Sequence, residues 1–244
     1  MSLKAYFTHG QAKRWFAQVA EQAVVHPAIL TNELYLFVLP TYLQILPAIE
    51  EFSGTPVQVG AQNISEFNRG PITGEVTACE LAEIGASVAA VGHAERRKVF
   101  FEDDTSTALK AAAALRAGLT PVICVGESER VPANQAARTS VDQLVASLSG
   151  TPTGPVIVAY EPVWAIGSTL AAPDPHIIAV IDSLRSSLYS DPSRHGSRVI
   201  YGGAAGPGML TRLGNVVDGL FLGRHAHDVD ALFAVVDEAY RQLK

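Results

Sequence analysis

A single (β/α)8 barrel is the fold this 244-residue sequence predicts, on three observations. Short β-rich runs alternate with helix-period segments, and the pairs recur at roughly 30-residue spacing, as eight strand–helix units require. The runs are almost continuously apolar rather than alternating, the pattern of parallel strands covered on both faces. The G-x-G-x-x-G turn that commonly follows the first strand of a doubly wound sheet is absent, which disfavours the main competing architecture.

Taken in order, the predicted strands are residues 2–7, 34–39, 57–60, 88–91, 121–125, 156–160, 198–201 and 219–222. Only three residues precede Lys4, so the first strand is short or the chain begins upstream of Met1. Between the strands the helix signals are legible. Asp103-Asp104-Thr105 can cap a helix through Ala108, Leu109, Ala112 and Leu115, and Gly118 stops it. The last segment sets Val229, Leu232, Phe233, Val236, Tyr240 and Leu243 on one face. No linker, low-complexity tract or change of composition divides residues 1–244, so one domain is expected.

Composition narrows the partners. With 48% hydrophobic residues the chain can build a large core, and with 18 basic residues, no Lys/Arg run longer than Arg96-Arg97-Lys98 and a net charge of -6 it suits neither nucleic acid nor an anionic membrane. Residues 34–49 form a long uncharged, apolar stretch but include Pro40, Gln44 and Pro47, short of the ~20 apolar residues of a bilayer span. Two distant cysteines, Cys79 and Cys124, fit a reducing cytoplasm rather than a disulfide scaffold.

Function in a barrel sits where strands give way to βα loops. The polar residues there are Lys4, His93 with Glu95, Glu127, Glu161, Gly202-Gly203 and Gly223-Arg224. A lysine, a histidine and a carboxylate converging on one mouth suit proton transfer beside a carbonyl. The carboxylate moves the proton, the imidazole polarises oxygen, and the ammonium stabilises negative charge. Backbone N–H groups at Gly167, Gly202, Gly203 and Gly223 could cradle a phosphate, a common device after the last two strands. Taken singly, each residue has a plainer reading: a structural histidine, a salt-bridge glutamate, a solvated lysine near the terminus, a glycine turn. His225 and His227 lie two apart with no third ligand indicated, so they read as helix-start or loop histidines and no metal is expected.

The motifs resemble the triosephosphate isomerase family. GAQNISEFNRGPITGEV (60–76), VGHAERR (91–97), ICVGE (123–127), AYEPVWAIG (159–167) and YGG (201–203) stand in that family's order and spacing, and the resemblance runs from Lys4 to the chain end. It implies an aldose–ketose isomerase acting on a small phosphorylated sugar through an enediolate, with no cofactor. It makes Glu161 the proton shuttle, His93 the neutral imidazole on the carbonyl oxygens, Lys4 the cation beside the substrate and Glu95 its supporting carboxylate. Residues 162–167 match a lid that closes over the phosphate and excludes water. Residues 62–75 resemble a loop that docks into a second subunit, with Thr73 reaching toward the other active site; a homodimer is implied.

Departures from the family pattern bear on the substrate. The family's asparagine two residues before the lysine is Ser2, its serine after the histidine is Ala94, and its phosphate-contacting serine after Tyr-Gly-Gly is Ala204. The Thr-Gly-Lys after the lid is Ser168-Thr169-Leu170, and the second glycine ending strand eight is Arg224, whose guanidinium can grip a phosphate bidentately. Three readings follow. One is interconversion of glyceraldehyde 3-phosphate and dihydroxyacetone phosphate, within glycolysis and gluconeogenesis. The second is exchange of L-erythrulose 1-phosphate and D-erythrulose 4-phosphate, as in similar isomerases of tetritol catabolism. The third is a non-catalytic barrel that binds a sugar phosphate; retention of Lys4, His93 and Glu161 counts against it.

Overall fold

In the computed structural model, which describes residues 1–168 and 170–244, six parallel strands form one curled sheet in sequence order. They are β1 (Phe37–Val38), β2 (Gln58–Ala61), β3 (Val88–Val91), β4 (Thr120–Val125), β5 (Ile157–Tyr160) and β6 (Arg198–Tyr201). Two further staves join by single parallel bridges, Ser2 with Leu39 and Leu220 with Tyr201. They also join each other. Ser2 N–H donates to Leu222 O at 3.0 Å, while Leu3 N–H donates to Leu39 O at 3.1 Å, and the ring is closed.

The predicted strands 88–91 and 198–201 match the observed bounds, and three others shift by a residue or two. The first, 2–7, is far shorter than predicted. Lys4 sits at φ 48, in the left-handed region, so the chain turns out of the wall after Leu3. The second and last strands also shrink, to Phe37–Val38 and to the single bridge at Leu220.

Side-chain alternation divides the core in two. Leu39, Ala90, Cys124, Ala159, Ile200 and Phe221 are among the residues that fill the barrel interior. Their strand neighbours, such as Val38, Val91, Val125, Val158 and Val199, pack outward beneath the helices. Continuing the inward phase of β5 by two residues from Ala159 aims Glu161 into the barrel mouth.

Helices α1 (His9–Ala23), α2 (Pro27–Leu30), α3 (Tyr42–Glu51), α4 (Ala78–Glu83), α5 (Ala94–Phe100), α6 (Asp104–Arg116), α7 (Ala133–Ser147), α8 (Asp174–Tyr189), α9 (Met209–Leu213) and α10 (Val229–Leu243) accompany the sheet. Asp103 caps α6 as predicted, accepting from Ser106 N–H at 2.7 Å, and Gly118 follows its end at φ 79. Leu232, Phe233 and Val236 of α10 are buried, but Leu243 is exposed in the last turn. The buried Glu238 departs from the apolar pattern because its carboxylate accepts from the N–H groups of Gly208 and Thr211 at the start of α9. Among the described residues no helix is long and apolar enough to cross a membrane, and Cys79 and Cys124 are free.

Leu3 is 1% exposed at the closing seam. Leu3→Ala is expected to cost about 2–5 kcal/mol, read as a lower urea midpoint at unchanged slope; an unchanged midpoint would show that closure does not depend on this side chain.

Candidate active site

The C-terminal mouth of the barrel opens into a cavity of about 660 Å³ that brings together Lys4, His93, Glu161, Gly203, Gly223 and Arg224. Residues separated by most of the chain meet because each stands at the end of a different stave. Glu161 follows β5, and its N–H is held by Val125 O at 2.8 Å. The residue is 5% exposed, and Oε2 has no hydrogen-bond partner among the described residues. Burial pushes its carboxyl above the ordinary value of 4.5, against the opposing pull of His93, Cys124 and Lys4. The Cys124 thiol beside it is itself driven well upward by burial and stays protonated.

His93 N-caps α5. Its Nδ1 accepts from Glu95 N–H at 3.2 Å, so the ring's proton resides on Nε2. That nitrogen lies 3.6 Å from Glu161 Oε2. A buried base and an N–H donor thus face the same space, the requirement for moving a proton next to a carbonyl. Ala94 leaves no hydroxyl there to engage the carboxylate.

Lys4 enters from the opposite side. Its Nζ is 2.6 Å from Glu95 Oε1, in the pairing that the family resemblance implies. Its left-handed backbone costs roughly 1–3 kcal/mol. Gln62 offsets this by donating to Lys4 O and Leu39 O, both at 2.9 Å, tying the lysine turn to the barrel wall. Ser2 Oγ accepts from Lys4 N–H at 3.4 Å.

At the far end of the cavity, Gly167, Gly203, Ala204 and Gly223 contribute backbone N–H groups that make no hydrogen bond among the described residues. Gly202 differs. Its N–H donates to Tyr160 O at 2.8 Å, and a Cβ there would lie 2.6 Å from Glu161 Cγ, so its glycine character makes room for the Glu161 side chain. Arg224 lines the same end, and its Nη2 donates to Gly167 O at 3.0 Å, linking the end of strand eight to the lid. The lid itself, residues 162–167, contains a 3-10 turn at Val163–Ala165. Of the Ser168-Thr169-Leu170 departure, Thr169 lies outside the described residues.

Sequence reasoning missed the residues that hold these groups in place. Glu127 was visible as a carboxylate at a strand end but had no assigned partner. In the structure it is 3% exposed and accepts from Trp164 Nε1 of the lid at 2.8 Å and from Tyr160 OH at 3.1 Å, with His176 Nε2 at 3.0 Å. A lid tryptophan next to a strand-end carboxylate was the available signal. Gln62 stood inside a quoted motif, but nothing in the one-dimensional pattern indicated its two carbonyl partners.

Thr73 lies at the exposed tip of the 62–75 loop. His225 packs against Gly206 along the cavity wall, and His227 packs at a tilt against Phe7 with ring centroids 4.6 Å apart. The described residues contain no group of three or more His, Cys, Asp or Glu side chains placed to hold a metal.

The family model for triosephosphate isomerase matches residues 1–239. The chain belongs to the triosephosphate isomerase family. It is 46% identical to the L-erythrulose-1-phosphate isomerase of Pectobacterium atrosepticum, over 98% of this chain and 94% of that protein. It is 34% identical to the triosephosphate isomerase of Thermus thermophilus, over 96% and 94%. The crystal structure of triosephosphate isomerase from Bartonella henselae superposes with a TM-score of 0.83 at 28% identity, covering 98% of this chain and 97% of that one. The (β/α)8 barrel and sugar-phosphate isomerase chemistry of the triosephosphate isomerase type are therefore properties of this chain.

Shortening the Glu161 side chain tests whether it is the base. Glu161→Asp is expected to lower kcat about 100-fold with the fold intact by circular dichroism; an unchanged kcat would remove Glu161 as the base. A base works deprotonated, so kcat/KM should fall as pH drops through its raised pKa. The acid limb is expected above 4.5 and should be absent from the residual activity of Glu161→Gln.

Proposed function

We propose that this enzyme interconverts L-erythrulose 1-phosphate and D-erythrulose 4-phosphate. The observation that carries this reading is an intact acid–base set within altered surroundings. Glu161, His93, Lys4 and Glu95 keep the family pattern, while Ala94, Ala204 and Arg224 depart from it. The 46% identity to a protein named for that substrate, against 34% to the Thermus triosephosphate isomerase, supports the same assignment.

The carbonyl moves between adjacent carbons, here from one ketose to another. Glu161 removes the proton from the hydroxyl-bearing carbon beside the carbonyl, leaving an enediolate. His93 Nε2–H stabilises first one oxygen and then its neighbour while a hydroxyl proton is transferred between them. Glu161 then returns the proton to the former carbonyl carbon, so nothing is oxidised or reduced overall. Lys4, held by Glu95, offsets the negative charge that develops between these steps. The free N–H groups of Gly167, Gly203, Ala204 and Gly223 bind the phosphate with Arg224, and Gly202 leaves Glu161 room to move. Closure of the lid retains the enediolate and excludes water. The enzyme works in the cytoplasm as a homodimer, with Thr73 at the subunit contact; the exposed 67–75 loop, including Phe67 at 53% exposure, supports that contact.

A second reading, conversion of triose phosphates, is favoured by the likeness of the whole barrel to the Bartonella enzyme. Assaying both substrate pairs side by side with the purified protein separates the two. Higher kcat/KM on the tetrulose phosphates is expected, and activity confined to triose phosphates would overturn the first reading. Arg224→Gly is expected to raise KM about 10- to 100-fold through loss of a charged contact; an unchanged KM would take Arg224 out of phosphate binding. Sedimentation at micromolar concentration tests the dimer, and a monomer with full activity would sink it.

A further inference from the structure

Two basic side chains, Arg224 and His225, stand next to each other in the wall of the active-site cavity. Among the described residues the cavity's two carboxylates, Glu95 and Glu161, lie against Lys4 and His93, and neither Arg224 nor His225 forms an ion pair. Arg224 donates through Nη2 to Gly167 O, so part of its guanidinium is committed to the lid. The His225 ring is exposed, and its nitrogens make no hydrogen bond among the described residues.

The position of that ring is set from two sides. Ala226, the next residue, is buried, and its carbonyl accepts from Trp15 Nε1 of α1 at 2.9 Å, which fixes the 3-10 turn Arg224–His227. On the facing loop the imidazole lies over Gly206, where a Cβ would stand 3.2 Å from both Cγ and Cδ2 of the ring. The backbone of Gly206 is not left-handed and does not itself require glycine. What the missing side chain provides is a slot for the imidazole. The loop carrying Gly206 also carries Gly203 and Ala204, and the turn carrying His225 follows Gly223. The ring therefore bridges the two loops whose free N–H groups are assigned to the phosphate. Gln62 and Asn63, at the root of the proposed docking loop, line a neighbouring cavity that includes neither Arg224 nor His225. The His225 wall is thus separate from the proposed subunit contact.

We propose that His225 binds the substrate phosphate, its imidazole N–H donating to a phosphate oxygen beside Arg224 from the slot that Gly206 keeps open. The inference rests on the phosphate placement given above and is independent of the number of carbons in the sugar. A charged imidazole makes a charge-assisted hydrogen bond to phosphate, and a neutral one still presents an N–H. The test titrates inorganic phosphate into the purified enzyme, followed by phosphorus NMR, and measures KM and kcat on the substrate pair that the enzyme turns over. His225→Ala is expected to raise Kd for phosphate about 5- to 30-fold, and to raise KM by a larger factor than it lowers kcat. His225→Gln keeps an N–H donor and is expected to bind phosphate within about threefold of wild type. Gly206→Ala crowds the ring out of its slot and is expected to weaken phosphate by a factor similar to His225→Ala. Added to His225→Ala it should cost less than about a further twofold, because both changes remove one contact; full additivity would overturn the slot. Circular dichroism verifies each fold, and Gly206→Ala carries the test if His225→Ala does not fold. A Kd changed less than about twofold in folded His225→Ala, where Arg224→Gly raises it, would overturn the role of His225 and leave the phosphate placement standing. A Kd that neither His225→Ala nor Arg224→Gly alters would instead overturn that placement, and His225 with it.

Discussion

One backbone hydrogen bond, from Ser2 N–H to Leu222 O, joins the first and last staves of the barrel. A parallel sheet left open there would expose unpaired N–H and C=O groups along two edges. It would also separate Lys4 from Arg224, whose strands meet only at this seam. The seam is built from very few residues, because Lys4 turns out of the wall immediately after Leu3. The same turn that shortens the first stave carries the ammonium over the mouth. Barrel closure and placement of the cation are thus one geometric event, and Gln62 steadies both by bonding carbonyls on each side of it.

Across the mouth, the chemistry depends on an imbalance that the fold maintains. A carboxylate this buried would ordinarily be satisfied by several donors, as Glu127 is by Trp164 and Tyr160 and Glu238 is by two backbone N–H groups. Glu161 has an unpartnered oxygen instead. Burial without full hydrogen bonding makes its anion a stronger base than a solvated glutamate. The barrel stores this cost in one side chain and spreads the stabilisation over a core of small and branched residues. The contrast among three buried glutamates sets Glu161 apart from two carboxylates held by full hydrogen bonding.

Much of this was legible in the sequence, for identifiable reasons. The parallel strands read clearly because burial on both faces leaves an unbroken apolar run, as at 88–91 and 198–201. The first stave did not, because its end is set by a left-handed lysine, and lysine does not announce that conformation as glycine or asparagine does. Lys4, His93 and Glu161 were recoverable as strand-end residues, and the match to family motifs then assigned them roles. Gln62, the Glu127 cluster and the Glu238 cap were not. Each works through partners distant in sequence, such as Trp164 for Glu127, and pattern reading carries no distances. The glycines show a subtler loss. Gly202 and Gly203 look alike in sequence, yet one N–H is already bonded to Tyr160 O and the other is free.

The hydrogen bond between Arg224 and Gly167 O bears on the thermodynamics of the lid closure proposed above. A loop fastened only at its two ends samples many conformations when empty and must be ordered when it closes. A third fastening near its C-terminal end shortens the freely moving segment and removes part of that disorder beforehand. Less of the phosphate's intrinsic binding energy then goes into ordering the loop.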